Sequence, residues 1–240
     1  MKKTKQIMTN KKYSLTKTTK KWCGVTLFQI KAEKDFGNIS KGELGGYIEK
    51  EENLDNSGNA WVSGDAQVYG DARVSGDAQV SGNAWVSGGA QIYGDAQVSG
   101  NAWVSGGARV SGNAWVSGDA QVSGNAWVSG DAQVYGDARV SGDAQVSGNV
   151  WVSGNAWVYG GAQIYGDAQV YGKLKLLSGL FFGFRKKEET ITFIEIDDYY
   201  GLISKGDIKF GEEEPEIKEI TMDEIAQKFG VDVKSLKIKK

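Results

Sequence analysis

The six-residue spacing of glycine limits what this chain can fold into more than any other feature. Glycine occupies position 58 and every sixth position up to 172 without an insertion, which defines nineteen hexads over residues 58–171. Each hexad reads Gly, then Asp, Asn or Gly, then Ala, then Gln, Arg or Trp, then Val or Ile, then Ser or Tyr. Only Val150 departs from the alanine. A helix repeats every ~3.6 residues and loses about 1 kcal/mol for each interior glycine, so this period excludes a helix.

The positions within the hexad predict a short strand followed by a corner. Alanine and Val or Ile lie two positions apart, so in an extended segment they face one side while the fourth and sixth residues face the other. Glycine followed by Asp or Asn suits a corner, because these residues tolerate the left-handed backbone region. Because every strand and corner is equivalent, the chain must wind in one direction and pair each strand in parallel with one a turn later. We predict a mainly β, parallel β-solenoid with three hexads per coil, and nineteen hexads then make about six coils.

Two sequence motifs resemble known proteins. Val68-Tyr69-Gly70-Asp71-Ala72-Arg73 resembles the hexapeptide repeat of left-handed parallel β-helix proteins. The segments Asp35-Phe36-Gly37, 41–48 and Glu52-Asn53-Leu54 resemble the lead-in of prophage-type hexapeptide-repeat proteins. The left-handed winding follows from this resemblance alone, since the general crossover rule favours the right hand.

Four regions are predicted along the chain. Residues 1–22 hold eight lysines and no acid, which is typical of a basic, flexible arm. Residues 23–57 should form a short N-terminal β cap with turns at Gly37 and Gly45-Gly46, because a solenoid must cover its terminal coil. Residues 58–172 form the solenoid, and residues 173–240 are predicted to be a small α+β tail domain.

The composition argues against catalysis. Enzymes of the left-handed β-helix type are acyltransferases that use a histidine or hydratases that bind zinc through three histidines, and this chain has no histidine. We therefore expect no catalytic residues, no cofactor and no metal site. Neighbouring corner aspartates, Asp77 with Asp95 and Asp119 with Asp137, are an alternative calcium site, but turn chemistry and solubility explain them more simply.

Tryptophan is the residue type that most suggests a binding surface. Seven of the eight tryptophans occupy the outward fourth position of a hexad. Residues 18 apart should stack, which puts Trp85, Trp103 and Trp157 on one face, Trp61, Trp115 and Trp151 on a second, and Trp127 on the third. Exposed aromatic residues anchor protein interfaces, so the first six are the predicted partner-binding residues. The alternative is that they are strand-forming residues multiplied by repeat duplication.

The sequence favours a non-catalytic structural or binding protein of phage or prophage type, which associates with a protein partner or with itself. One alternative is an inhibitor of a host defence factor that binds protein or nucleic acid, the latter through the lysine arm. Another is an acyltransferase-like enzyme that has replaced its histidine. A single cysteine, Cys23, and no long apolar segment predict a cytoplasmic protein without membrane contact.

Overall fold

A computed structural model describes residues 11–183 of the chain as a parallel β-solenoid with almost no helix. The N-terminal elements are β1 (Tyr13–Trp22), β2 (Val25–Ala32), β3 (Leu44–Ile48) and a 3-10 turn, Glu51–Asn53. The repeat strands follow in chain order: β4 Trp61–Val62, β5 Gln67–Val68, β6 Arg73–Val74, β7 Gln79–Val80, β8 Trp85–Val86, β9 Gln91–Ile92, β10 Gln97–Val98, β11 Trp103–Val104, β12 Arg109–Val110, β13 Trp115–Val116, β14 Gln121–Val122, β15 Trp127–Val128, β16 Gln133–Val134, β17 Arg139–Val140, β18 Gln145–Val146, β19 Trp151–Val152, β20 Trp157–Val158, β21 Gln163–Gly166, β22 Gln169–Val170, β23 Lys175–Leu176 and β24 Leu180–Gly183.

The repeat strands form three parallel stacks. One stack runs β3, β5, β8, β11, β14, β17, β20 and β23, and the other two hold seven strands each. Within the repeat every pairing joins residues 18 apart, as in Trp103 with Gln121. The solenoid makes about eight turns rather than the predicted six, because β3 and β23 continue the parallel pairing beyond the two ends of the hexad pattern.

The inward positions of the hexads form the core, as the alternation predicts. The third and fifth residues of nearly every hexad have no exposed surface, and Val150 is as buried as the alanines around it. Fully burying a valine stabilises a fold by about 1.5–3 kcal/mol, so the core stabilises each turn through its contacts with the next. Backbone bonds such as Gln97 N–H to the Ala114 carbonyl, 2.9 Å, link successive turns.

The corner glycines are required for two physical reasons. Gly124 has a φ of +69°, in the left-handed region that other residues avoid. A Cβ added there would lie 2.8 Å from the backbone nitrogen of Gly142 in the next turn. The invariant glycine therefore reflects close approach of successive turns as well as corner conformation.

The N-terminal region differs from the expected flexible arm. Residues 13–22 form β1, which pairs antiparallel with β2 through a two-residue turn at Cys23 and Gly24, both with positive φ. The strand is held at its start because Tyr13 is buried and its hydroxyl donates to the carbonyls of Glu51 and Leu54, 2.8 Å each. The many lysines of this segment are typical of a flexible arm, so the sequence did not indicate a strand here.

Side chains and backbone amides of the cap donate hydrogen bonds to carbonyl groups of the first repeat turn that face the N-terminal end of the solenoid. Asn53 is fully buried and its Nδ2 donates to the Gly70 and Ala72 carbonyls at 3.0 and 2.8 Å. The Tyr47 amide donates to the Ala66 carbonyl at 2.9 Å. The edges of β5 and β6 are consequently paired at these carbonyls, and they are not open templates for another strand.

At the other end, parallel pairing enters the segment assigned to the tail domain. β23 pairs with β20 in the 18-residue register, whereas β24 pairs with β21 one residue short of it, Gln163 with Leu180. Residues 184–240, where the rest of the predicted α+β domain falls, lie outside the described residues.

Candidate interaction faces

The outward fourth positions of the hexads line up in three rows, which we name by the stack that carries them. A row with one member per turn follows from parallel pairing, because paired residues point to the same side. Face A is the row Tyr47, Gln67, Trp85, Trp103, Gln121, Arg139, Trp157 and Lys175. Face B is the row Trp61, Gln79, Gln97, Trp115, Gln133, Trp151 and Gln169. Face C is the row Arg73, Gln91, Arg109, Trp127, Gln145, Gln163 and Leu180.

Face A brings Trp85 and Trp103 together. The two residues pair in register, and their ring centroids are 5.3 Å apart at an edge-on angle of 73°. Trp22, at the tip of the β1–β2 hairpin, lies against Trp85 with centroids 4.4 Å apart. Trp85 is therefore half-buried under the cap, and Trp103 is the first indole of this face with a large exposed area.

The prediction that Trp61 lies on a partner-binding surface is wrong. It shares face B with Trp115 and Trp151, but it has no exposed surface. Phe36 packs edge-on to it at 5.4 Å, and a Cβ on Gly45 would lie 2.7 Å from its ring. The cap covers Trp61, so this residue supports the N-terminal end of the core and cannot contact a partner.

Five indoles remain accessible in the described part of the chain. They keep 37–47% of their surface exposed and comprise Trp103, Trp115, Trp127, Trp151 and Trp157. Trp115 Nε1 donates to Ser99 Oγ at 3.2 Å, and Trp127 Nε1 donates to Ser111 Oγ at 3.3 Å. Each of these two rings is thus held against the preceding turn, which leaves the rest of the indole free for contact.

The corner residues form hydrogen-bonded rows beside the faces. Asn101 Nδ2 donates to Asp119 Oδ1 at 2.9 Å, and Asn113 Nδ2 donates to Asp131 Oδ1 at 2.8 Å. Alternation of amide and carboxylate reduces repulsion between turns without a cation. Within residues 11–183, no three acidic or cysteine side chains cluster as metal ligands.

A charged residue is buried inside the cap. Lys12 has no exposed surface, and its Nζ donates to the carbonyl of Ala60 at 2.9 Å and of Ser57 at 3.4 Å. The ammonium also lies 5.2 Å from the Phe36 ring centroid. Burial lowers the pKa of Lys12 to about 8, and the charge of Asp55 opposes this shift.

Face A ends in a cation–aromatic stack. The Arg139 guanidinium lies 4.8 Å from the ring centroid of Trp157, and Lys175 Nζ lies 5.1 Å from the same centroid. All three side chains are neighbours in register. Both cations attract the indole π-system, so this aromatic surface also carries positive charge.

Comparison with protein families supports the repeat architecture. The YdcK β-solenoid repeat matches this chain in eight segments that together cover residues 66–160. The chain is a β-solenoid repeat protein. No curated protein matches its sequence significantly.

The structure of this solenoid repeat protein brings together surface side chains that sequence reasoning did not connect. Trp22 lies in the segment that the sequence predicts to be a flexible arm, and no sequence pattern shows that it covers Trp85. Lys175 could have been found, because it lies one 18-residue step after Trp157, but the hexads end at Tyr171.

Among residues 11–183, no helix is long and apolar enough to cross a membrane.

Proposed function

We propose that this β-solenoid is a non-catalytic protein that associates with other protein molecules through its tryptophan rows. The observation that carries the proposal is the exposure of five indoles at equivalent outward positions. Tryptophan is enriched at protein interfaces, where its large ring supplies apolar contact area and a polar N–H group. The absence of histidine from the sequence supports a role without acid–base catalysis.

The exposed area of the indoles is large enough to matter energetically. An indole buries up to ~250 Å² in full, so an exposed fraction near two-fifths leaves roughly 100 Å² to be covered by a partner. At about 25 cal/mol per Å², each indole then contributes about 2–3 kcal/mol before association entropy is subtracted. Two indoles on one face are sufficient for an interface hot spot.

We propose that the solenoid is left-handed with three hexads per coil. We also propose that a small α+β tail domain follows it. The 18-residue register supports three hexads per coil, and the likeness of the hexads to hexapeptide repeats supports the left hand. The prophage-like lead-in supports a phage or prophage origin with a cytoplasmic location. An experimental structure would decide handedness.

Replacing the indoles one face at a time tests the proposed association. The variants are Trp103→Gln with Trp157→Gln on face A, Trp115→Gln with Trp151→Gln on face B, and Trp127→Gln on face C. Glutamine already occupies this position in other hexads, so each variant should keep the fold and its melting temperature. At least one face should lose self-association or partner binding about tenfold or more, as hot spots do.

Sedimentation over a concentration series and pull-down from phage-infected or lysogenic cells are the measurements. If all three variants sediment and capture partners as the wild type does, the tryptophans are only strand-forming residues and the proposal is wrong.

A further inference from the structure

An acidic surface depression lies beside the N-terminal cap. Its volume is about 490 Å³, and three carboxylates, Glu51, Glu52 and Asp55, line it against one guanidinium, Arg73. With Lys11, which is ion-paired to Glu51, counted beside Arg73, the balance is three negative charges against two positive charges, or −1. Lys11 binds the Glu51 carboxylate at 2.7 and 2.8 Å, and Asp55 accepts hydrogen bonds from the amide and hydroxyl of Ser57 at 3.0 and 2.7 Å. Glu52 is therefore the carboxylate most available to a partner.

A basic depression of similar size lies on face A, near the C-terminal end of that row. Its volume is about 500 Å³, and the described residues that line it include three cations, Arg139, Lys173 and Lys175, and one carboxylate, Asp137. The ring of Trp157 forms part of its lining. The three ion pairs between described residues all involve cap lysines, so Arg139 and Lys173 are not neutralised by a carboxylate of this region.

Charge complementarity selects a second copy of this chain as the occupant. A long polyanion such as nucleic acid is disfavoured, because the hexads carry nine aspartates against three arginines, and Asp137 lies in the depression itself. A short acidic element avoids this repulsion. The segment Glu51–Asp55 is short and acidic, and it lies on the same protein at a comparable depression.

We propose that copies of this protein associate head to tail, with the acidic cap segment of one copy in the basic depression of the next. The cap segment lies in the turn of β3, and the basic depression begins five turns later at β17, about 24 Å away at about 4.8 Å per turn, so the two cannot meet within one copy. Two different patches make a heterologous contact, which produces a ring if the rotation closes and a filament if it does not. The head-to-tail contact does not involve the exposed tryptophans other than Trp157. The variants that test it leave Trp157 unchanged.

Charge reversal at each end tests the contact. The basic-end variant is Arg139→Glu with Lys173→Glu, and the acidic-end variant is Glu51→Lys with Glu52→Lys. The control, Arg109→Glu with Lys41→Glu, makes the same charge change as the basic-end variant outside both depressions. Circular dichroism and melting confirm folding. In sedimentation, we expect each end variant to associate at least tenfold more weakly than the wild type, and the control to behave as the wild type does.

Mixing and salt separate this contact from association through the indoles. The two end variants, mixed in equal amounts, carry opposite charges at both kinds of contact, so the mixture should associate again although neither variant does so alone. Wild-type association should weaken between about 0.1 M and about 1 M salt, as the screening length falls from about 10 Å to about 3 Å. A wild type that stays monomeric, or a mixture that does not associate, would overturn the proposal. Association that is lost only in the tryptophan variants would overturn it while leaving the proposed function in place.

Discussion

The substitution Gly142→Ala tests whether the corners of the solenoid require glycine. Gly142 has a φ of +69°, which costs an L-residue about 1–2 kcal/mol. The new Cβ would lie 2.8 Å from the nitrogen and 3.0 Å from the oxygen of Gly160. Both contacts are backbone atoms of the next turn, so relief requires the turns to separate, at about 1–3 kcal/mol. Lower entropy of the unfolded chain returns about 0.4–1 kcal/mol, which leaves a net loss of about 1–5 kcal/mol.

Gly161→Ala is the matched control, because it adds the same methyl group next to Gly160. A Cβ at Gly161 meets no atom within 4 Å, and its φ is not positive. This variant should be neutral or up to about 1 kcal/mol more stable than the wild type. Urea unfolding followed by circular dichroism measures both variants. If Gly142→Ala and Gly161→Ala unfold at the same midpoint, the corner rows do not need glycine and our account of turn spacing is wrong.

Three further predictions concern the cap and the corners. The folded chain binds the Lys12 proton less tightly than the unfolded chain, so the free energy of unfolding should rise between pH about 8 and 10.5. Lys12→Met should remove this rise in urea titrations at several pH values; an unchanged rise would assign it to other groups. Trp22→Ala should speed amide hydrogen exchange in β1 and β2 but not in β10–β20, because its ring contacts Trp85 near the cap; uniform acceleration would contradict this. Calcium should leave the melting temperature unchanged, since asparagine amides already bond the corner aspartates; a saturable increase would indicate a cation site.

The repeat could be predicted from the sequence because each hexad repeats one local rule. Ala and Val or Ile face inward at every turn, and the 18-residue rows place Trp103 next to Trp85 as expected. The parallel solenoid is thus confirmed.

The presence of an N-terminal β cap could be predicted, but its contacts could not, because no period in the sequence reveals them. Gly45 was interpreted as a turn residue, yet it lies within β3, where a Cβ would collide with Trp61. The same contact explains why Trp61, identical in its hexad to the exposed tryptophans, is buried. Local sequence cannot distinguish equivalent hexads when one of them is covered by a segment without the repeat.

The difference between the six-residue unit and the 18-residue register limits how this protein can change length in evolution. Tandem duplication of one hexad would move every later outward side chain to the neighbouring row and separate Arg139, Trp157 and Lys175 from the residues that precede them on face A. Duplication of 18 residues would lengthen the stack and keep every row. Homologues of different length should therefore differ by multiples of 18 residues where a row has a function, and by any multiple of six where it has none.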